Sequence, residues 1–470
     1  MSDEITSLTL CDVTDAIRTR KLSATEVMEA TLARIERLQP LVNAFILLEG
    51  DGAMEAARAA DERQAKGEDL PSLHGVPMAH KDLLYRAGRV STCGSKIRSQ
   101  VKAEVTATAL ERLDAAGAIE IGTLNMAEFA ASGTGHNEHY GDCRNPWNTD
   151  HIVGGSSSGS GTAVAARMVA GSLGSDTGGS VRIPAGLCGI TGIKPTDGRV
   201  SRYGVMPRSW ASDTLGPMTR TARDVARMMS AIAGYDPRDP QSHHAPVPDY
   251  EDGIESSLKG LRIGVAKNYY NEDIDDDVAA GIEVARAVFA DLGAELVEVE
   301  IPDPSLAMSL GQLILAAEAA ALHEKWLAER PDDYQIAIRV PMEPGLFIPA
   351  TRYIEALRMR GPLLSEFLDK VLSRVDVLHI PTGPMPAPTL VDADPASPEK
   401  AVQTMGLFPK FTRTISYLGL PAISVPCGFS GNGLPISFQL VGQPFAEPTL
   451  LNVAHMYQRE TDWHERAPDI

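Results

Sequence analysis

Two short segments rich in serine and glycine carry residue types that acyl-transfer chemistry needs. The first spans residues 154–161 (GGSSSGSG), and the second spans residues 174–184 (GSDTGGSVRIP), where Ser180 follows two glycines and precedes a predicted helix. Adjacent glycines let backbone N–H groups converge on one point. An oxyanion hole requires such convergence, and one of its donors is worth roughly 3–4 kcal/mol. The second segment therefore predicts an oxyanion-binding turn at Ser180.

The first segment has three other interpretations, and its surroundings disfavour each of them. A flexible linker would not run directly into the apolar helical pattern of residues 162–170. A phosphate-binding loop would need the GxxxxGK[ST] spacing, or GxGxxG followed by an acidic residue after a second strand. Residues 155–159 match the GxSxG nucleophile elbow, but residues 145–153 read as a turn and not as the strand that such an elbow requires.

Alternating helices and strands must position these segments. Residues 23–26 (SATE) form a predicted capping box at the start of a helix that ends before Pro40. The alternation predicts an α/β chain whose sheet is mostly parallel and mixed at some pairs. Further helices are predicted at residues 105–116, 275–292 and 447–459, and strands at residues 118–123, 261–266, 295–301, 375–380, 422–426 and 436–441.

Composition excludes several classes of protein. The chain has 470 residues, of which 43% are hydrophobic, and a formal net charge of −19. Such an acidic chain repels phosphate backbones, so nucleic acid is not an expected partner. The N-terminus resembles no signal peptide, and no apolar run approaches the 18 residues that a membrane span needs. Five cysteines without a CxxC pair favour a reducing compartment, so a cytoplasmic location is predicted.

Two histidines, His136 and His139, lie close together near Asp142 and Cys143 and raise the question of a metal site. Their spacing would suit one helical face, but the neighbouring glycines favour a loop. We therefore expect neither a metal nor a cofactor.

Eight motifs in the same order give the chain a resemblance to the amidase signature family. They lie at residues 74–82 (HGVPMAHKD), 122–129 (GTLNMAEF), 145–147 (NPW), 154–160 (GGSSSGS), 174–185 (GSDTGGSVRIPA), 188–195 (CGITGIKP), 216–220 (GPMTR) and 419–426 (GLPAISVP). The resemblance implies a single domain over residues 1–470, with a central twisted mixed sheet covered on both faces by helices. The variable region of about residues 236–350 is expected to form part of the substrate pocket or a lid.

The resemblance also implies a Ser-Ser-Lys triad. Ser180 is then the nucleophile, Ser156 the serine that follows a cis peptide bond, and Lys81 the base. A lysine is a base only when neutral, and at its free pKa about one in 2,500 is neutral at pH 7. The apolar run before it could bury Lys81 and lower that pKa, while Ser156 relays the proton. The implied oxyanion donors are the N–H groups of Thr177, Gly178, Gly179 and Ser180.

Residues around the triad receive less specific predictions. Asp176 and Arg182 flank the nucleophile, and we interpret them as a structural salt bridge because the triad needs no additional acid. The pocket walls are predicted to include Met126, Ser132, Gly133 and Trp210.

The implied activity is hydrolysis of C–N bonds in small to medium organic amides, with esters and carbamates as further candidates, through an acyl-enzyme. The expected partner is a small-molecule amide, without nucleic acid or membrane, in a chain that by default forms a homodimer.

The alternative is the A subunit of a glutamine-dependent tRNA amidotransferase. Leu83, Leu84 and Thr214 depart from the Asn-Ile pair and the glutamine usual in those subunits. A non-catalytic binding relative is a third class, which the filled triad positions disfavour.

Overall fold

A mixed sheet of 11 strands forms the centre of the computed structural model, which describes residues 2–395 and 406–470. The strand order across the sheet is β1-β3-β2-β4-β6-β5-β10-β11-β9-β7-β8. The strands are β1 (Phe45–Leu48), β2 (Pro77–Lys81), β3 (Ile119–Leu124), β4 (Gly171–Asp176), β5 (Thr191–Lys194), β6 (Thr214–Thr219), β7 (Arg262–Ala266), β8 (Glu295–Val299), β9 (Val377–Pro381), β10 (Ala422–Phe429) and β11 (Pro435–Val441).

Antiparallel pairing dominates the middle of this sheet, so the prediction of a mostly parallel sheet is wrong. Strands β4, β6, β5, β10, β11 and β9 pair successively antiparallel. Parallel pairs occur between β2 and its neighbours β3 and β4, and between β7 and its neighbours β8 and β9. The short connection between β10 and β11 lets these two strands pair antiparallel, whereas parallel strands need a crossover connection of a dozen or more residues.

Fourteen α-helices flank the sheet in the described part of the chain. They are α1 (Ser2–Ser7), α2 (Leu10–Arg18), α3 (Ala24–Val42), α4 (Gly50–Ala65), α5 (Thr108–Ala115), α6 (Ser158–Ala165), α7 (Arg182–Leu187), α8 (Ala222–Ile232), α9 (Asp276–Asp291), α10 (Ser305–Glu329), α11 (Ile336–Met342), α12 (Ala350–Phe367), α13 (Arg413–Tyr417) and α14 (Glu447–Arg459). Helix α3 starts at the predicted capping box, in which Ser23 and Glu26 bond reciprocally. It continues past Pro40 to Val42, because a proline in the final turn costs less than one in the helix interior.

Two large clusters of buried apolar side chains pack around these elements. The first, which we call the main core, includes Met78 on β2, Leu173 on β4 and Val181 just before α7. The second, which we call the wall core, includes Ile314 on α10 and Ile415 on α13. The elements that carry the candidate site pack in both cores.

Helix α10 has 25 residues with a mean hydropathy of 1.5 over its most apolar window, enough by length and composition alone to cross a membrane. Core helices of soluble proteins share this property. Its residues Ile314, Glu318 and Ala319 are buried against the rest of the protein, and the helix packs beside α12 and α13.

The parallel pair β2 and β4 determines where the predicted site lies. Met78 on β2 is opposite Gly171 on β4, so both strands run in the same direction and their carboxyl ends share one edge of the sheet. Lys81 ends β2 and Asp176 ends β4. The register therefore brings the lysine beside the segment that leads to Ser180.

Candidate active site

The Lys81 ammonium lies in a buried cage of three serine hydroxyls. Its Nζ donates to Ser156 Oγ at 2.7 Å, Ser175 Oγ at 2.9 Å and Ser157 Oγ at 3.0 Å. The lysine itself is 1% exposed. All three N–H donors of an ammonium are thus satisfied by neutral groups, which orient the nitrogen without adding a negative charge.

Burial lowers the pKa of Lys81 to about 7, against the opposing influence of the Asp213 and Asp176 carboxylates. About half of the lysine is then neutral at pH 7, whereas a free lysine is almost fully protonated. The cage therefore holds a nitrogen that can accept a proton at physiological pH.

Ser156 is fixed in position by its backbone. The peptide bond between Gly155 and Ser156 is cis. The Ser156 carbonyl accepts from the Ala127 N–H at 3.1 Å, and the next residue, Ser157, donates its N–H to the Ser180 carbonyl at 3.3 Å. A Cβ at Gly155 would collide with the backbone of Ser132. This close packing ties the first serine segment directly to the second.

Ser180 opens onto a narrow cleft. The described residues that line the cleft are Ala130, Ala131, Ser132, Gly133, Thr177, Gly178, Ser180, Ile183, Arg208, Gln312, Leu315, Pro409 and Arg413. The structure links Lys81 to Ser156 by a hydrogen bond, while no hydrogen bond joins the Ser156 and Ser180 hydroxyls among the described residues. Catalytic hydrogen bonds often tighten only when substrate binds.

A glycine is required at position 179 by the backbone conformation there and by the neighbouring Thr412 side chain. Its φ is +132°, and a Cβ there would collide with Thr412 Oγ1. Its N–H donates to Asp176 Oδ1 at 2.8 Å and is not free to bind an oxyanion in this conformation, contrary to the sequence prediction. The same role for Thr177, Gly178 and Ser180 stays a prediction.

Asp176 and Arg182 form a salt bridge in which both side chains are fully buried. Arg182 donates Nε to Asp176 Oδ2 at 3.0 Å and Nη2 to Oδ1 at 3.1 Å. Its other donors reach Gln439 Oε1, the Thr412 carbonyl and Ser416 Oγ. The pair therefore locks the Ser180 turn onto β11 and α13, in agreement with the predicted structural role.

Two of the four predicted wall residues line the cleft, and two do not. Ser132 and Gly133 lie in it. Met126 is fully buried in the main core, because it lies two residues after the end of β3 and packs against Gly94. Trp210 lies in an adjoining cavity of about 510 Å³, which shares Arg208 with the cleft and is also lined by Ser175.

Several residues of the site were not predicted from the sequence. Ser157 and Ser175 complete the lysine cage, and the register between β2 and β4 is the signal that could have placed Ser175 there. The cleft residues Gln312 and Leu315 come from α10, inside the region predicted to be variable. Arg208 and Arg413 belong to no motif, so nothing in the sequence pointed to them.

The histidines singled out in the sequence make ordinary structural contacts. His136 Nδ1 lies 2.8 Å from Thr134 Oγ1, and His139 Nε2 lies 3.1 Å from Glu128 Oε1. Within the described residues, no group of three or more His, Cys, Asp or Glu side chains is placed to hold a metal ion.

The Lys81 pKa predicts how hydrolysis depends on pH. Below about pH 7 the lysine is protonated and cannot accept a proton, so kcat/KM should rise with pH, with a midpoint near 7, and level off above pH 8. The measurement is kcat/KM for a neutral amide between pH 5 and 9, with thermal unfolding recorded at each pH. A midpoint near 10, or a flat profile, would contradict Lys81 as the base.

Comparisons with known proteins agree with this geometry. The sequence model of the family described as Amidase matches residues 26–451. The chain is 39% identical over 485 residues to the A subunit of the Glutamyl-tRNA(Gln) amidotransferase of Methylococcus capsulatus, covering 98% of each protein.

Two solved structures are similar over nearly their whole length. A 6-aminohexanoate cyclic dimer hydrolase complexed with substrate superimposes with a TM-score of 0.90 at 27% identity, covering 99% of both chains. The A subunit of the Glutamyl-tRNA(Gln) amidotransferase from Thermotoga maritima has a TM-score of 0.81 at 30% identity, covering 97% of this chain and 95% of that one.

Proposed function

The chain belongs to the amidase family, whose members act on C–N bonds, and on that basis we propose that it is the A subunit of a Glu-tRNA(Gln) amidotransferase. In this role Ser180 cleaves the carboxamide of a nitrogen donor, glutamine, and the ammonia serves amidation of the tRNA-bound glutamate. The observation that carries the proposal is the 39% identity to such a protein over 98% of both chains.

The expectation of a small-molecule substrate without any nucleic-acid partner is wrong. Relatives at 38–40% identity, matched over at least 98% of their length, are named as subunits of an enzyme of Glu-tRNA(Gln). The exclusion of nucleic acid on the basis of net charge was wrong. A chain with a formal net charge of −19 need not contact tRNA itself when it works as one subunit of several.

The departures from the usual subunit sequence do not line the Ser180 cleft, although Leu83 and Thr214 line the adjoining cavity that shares Arg208 with it. Leu83 and Leu84 are buried in the main core, and Thr214 Oγ1 donates to the Asp176 carbonyl at 2.9 Å. None of the three lines the cleft. They therefore do not weigh against the same chemistry at Ser180.

The proposed chemistry begins with neutral Lys81. It takes a proton from Ser156 as Ser156 takes one from Ser180, and Ser180 Oγ attacks the amide carbon. The oxyanion collapses, the C–N bond breaks, and the relay returns the proton to nitrogen, which leaves as ammonia. Water then attacks the acyl-enzyme ester through the same relay and regenerates Ser180. The scheme requires that the Ser156 and Ser180 hydroxyls meet when substrate is bound.

The test is to purify the full chain from its native host with the proteins that accompany it. We expect the assembly to convert Glu-tRNA(Gln) into Gln-tRNA(Gln) with glutamine as donor, and the same assembly carrying Ser180→Ala to fail. The readouts are the amino acid attached to the tRNA and the ammonia released. A chain that purifies alone, and hydrolyses amides without forming Gln-tRNA(Gln), would refute the proposal.

A further inference from the structure

A partly buried carboxylate lies close to both the lysine cage and the turn that carries Ser180. It belongs to Asp213, which directly precedes β6, and β6 pairs antiparallel with β4, the strand that leads into the turn. Asp213 lines the adjoining cavity together with Ser175, whose hydroxyl accepts from Lys81 Nζ at 2.9 Å. The pairing of β6 with β4 therefore brings this carboxylate beside the two parts of the site.

The Asp213 carboxylate holds the turn through the side chain of Thr177. Thr177 Oγ1 donates to Asp213 Oδ1 at 2.6 Å, and the N–H of this threonine is one of the predicted oxyanion donors. The other oxygen, Asp213 Oδ2, accepts from the backbone N–H groups of Arg208 at 2.7 Å and Ser209 at 2.9 Å. Both oxygens are thus fixed, so the contact determines where Thr177 lies relative to Ser180.

The charge of Asp213 acts on the ammonium group of Lys81. All three hydrogen bonds to the carboxylate come from neutral donors, which leave its negative charge in place. Asp176 acts on the same ammonium, but its charge is paired with the Arg182 guanidinium at 3.0 Å. The Cys93 thiol also lies near Lys81, and because burial raises its pKa to about 12 it is neutral at physiological pH. Asp213 is therefore the carboxylate with the larger influence on the lysine.

Two guanidinium groups, those of Arg202 and Arg208, face Asp213 from the neighbouring segments. Each of them also faces a second carboxylate. Arg202 forms a salt bridge with Asp239 at 3.3 Å, and Arg208 faces Glu318. The positive charge of the two arginines is therefore shared among several carboxylates and does not cancel that of Asp213.

We propose that Asp213 is a positioning residue for both charges that the reaction creates. When Lys81 takes up the proton, the carboxylate stabilises the ammonium group that forms. Through Thr177 the same carboxylate holds the backbone N–H groups of the turn toward the oxyanion. The proposal rests on the proposed chemistry at Ser180, but not on the identity of the amide or on a partner subunit.

Asp213→Asn tests the role of the charge. The asparagine keeps the size of the side chain and an oxygen that can accept from the backbone N–H groups. Because the carboxylate favours the protonated form of Lys81, its loss should lower the midpoint of the pH profile from near 7 by about one unit. Activity at pH 6, as a fraction of the plateau, should then rise about fivefold. The measurement is the rate at which a fluorophosphonate labels Ser180 in the full chain between pH 5 and 9.

Thr177→Val separates the charge from the contact with the turn. It removes the hydroxyl that bonds to Asp213 and leaves the carboxylate charged. We expect the plateau rate of labelling to fall about tenfold, because the turn is less well placed, while the midpoint stays near 7.

The matched control is Asp239→Asn, at a buried carboxylate on the wall of the same cavity. Asp239 also accepts from backbone N–H groups, those of Arg202 and Gln241. Its charge is paired with the Arg202 guanidinium. This variant removes one negative charge from the same cavity wall and should leave the midpoint near 7.

An unchanged midpoint in Asp213→Asn would overturn the proposal, as would an equal downward shift in Asp239→Asn. Circular dichroism checks that each variant folds. If Asp213→Asn does not fold, Asp213→Glu keeps the charge but moves it, and it should lower the plateau about tenfold with the midpoint still near 7. Plateau rates close to that of the wild type in both Asp213→Glu and Thr177→Val would then overturn the proposal.

The two proposals fail separately. If Gln-tRNA(Gln) forms but Asp213→Asn keeps the midpoint of the wild type, the role of Asp213 is refuted and the amidotransferase function stands. If the midpoint falls as expected but no Gln-tRNA(Gln) forms, the role of Asp213 stands and the function is refuted.

Discussion

Ser180→Ala is expected to lower kcat/KM for amide hydrolysis by about 10⁴-fold or more, because the other hydroxyls of the cleft, on Ser132 and Thr177, bond to Thr134 and Asp213 and not to Lys81 or Ser156. Ser156 is fully buried and bonded to Lys81, so it cannot reach the amide carbon in its place. Residual turnover would reflect the remaining binding and oxyanion contacts. The measurement is ammonia release from glutamine under kcat/KM conditions.

Ser160→Ala is the matched control for this loss. Ser160 belongs to the same serine-rich segment and is equally buried, but its hydroxyl contacts Ser172 and not Lys81. This variant should lose less than about tenfold in activity. A fluorophosphonate probe should label the wild type and Ser160→Ala, and should not label Ser180→Ala. Substantial hydrolysis by Ser180→Ala would exclude Ser180 as the nucleophile.

Lys81→Met should lower kcat by about 10²–10⁴-fold, the usual contribution of a general base. The side chains have similar length, so the change removes the nitrogen and leaves most of the volume. The three serine hydroxyls of the cage then lose their common donor. Because burial of an ammonium group costs free energy, the variant should unfold at a temperature equal to or above that of the wild type. Assays of ammonia release test the expected loss in kcat, and thermal unfolding tests the expected stability.

Lys194→Met supplies the comparison with a second buried lysine. Lys194 lies on β5 and donates to Asp197 Oδ1 at 3.0 Å, outside the cleft. Its loss leaves Asp197 with Arg360 as its remaining cationic partner, so this variant should unfold at a lower temperature while the pH midpoint of hydrolysis stays near 7. An active Lys81→Met enzyme with an unchanged pH profile would show that another group is the base.

Local signals sufficed for several helices and strands. The capping box at Ser23 and the alternation of β7, α9 and β8 are properties of neighbouring residues, and the structure has them at the predicted places within a few residues. The salt bridge between Asp176 and Arg182 was likewise foreseeable, since the two residues lie only six positions apart, across one turn.

Residues brought together only by tertiary structure could not be predicted. Arg208 and Arg413 are 205 positions apart and meet because α10, α13 and the Ser180 turn pack together. Met126 was misplaced because a residue just after a strand can point either into the core or into a cleft. The antiparallel centre of the sheet was missed since period-two patterns do not reveal which strands are neighbours. Partner proteins are chosen by surface complementarity, which a single sequence does not display.

The division between the main core and the wall core has an evolutionary consequence. The strand that ends in Lys81 and the turn that carries Ser180 are anchored in the main core, whereas Arg413 begins a helix of the wall core, and α10, which carries Gln312, contributes to both cores. Changes in residues that share no partners act nearly independently on stability. A lineage can therefore replace residues of the cleft wall while it inherits the residues that react. One scaffold can then serve both a cyclic-dimer hydrolase and one subunit of an amidotransferase, the activities that its structural neighbours are named for.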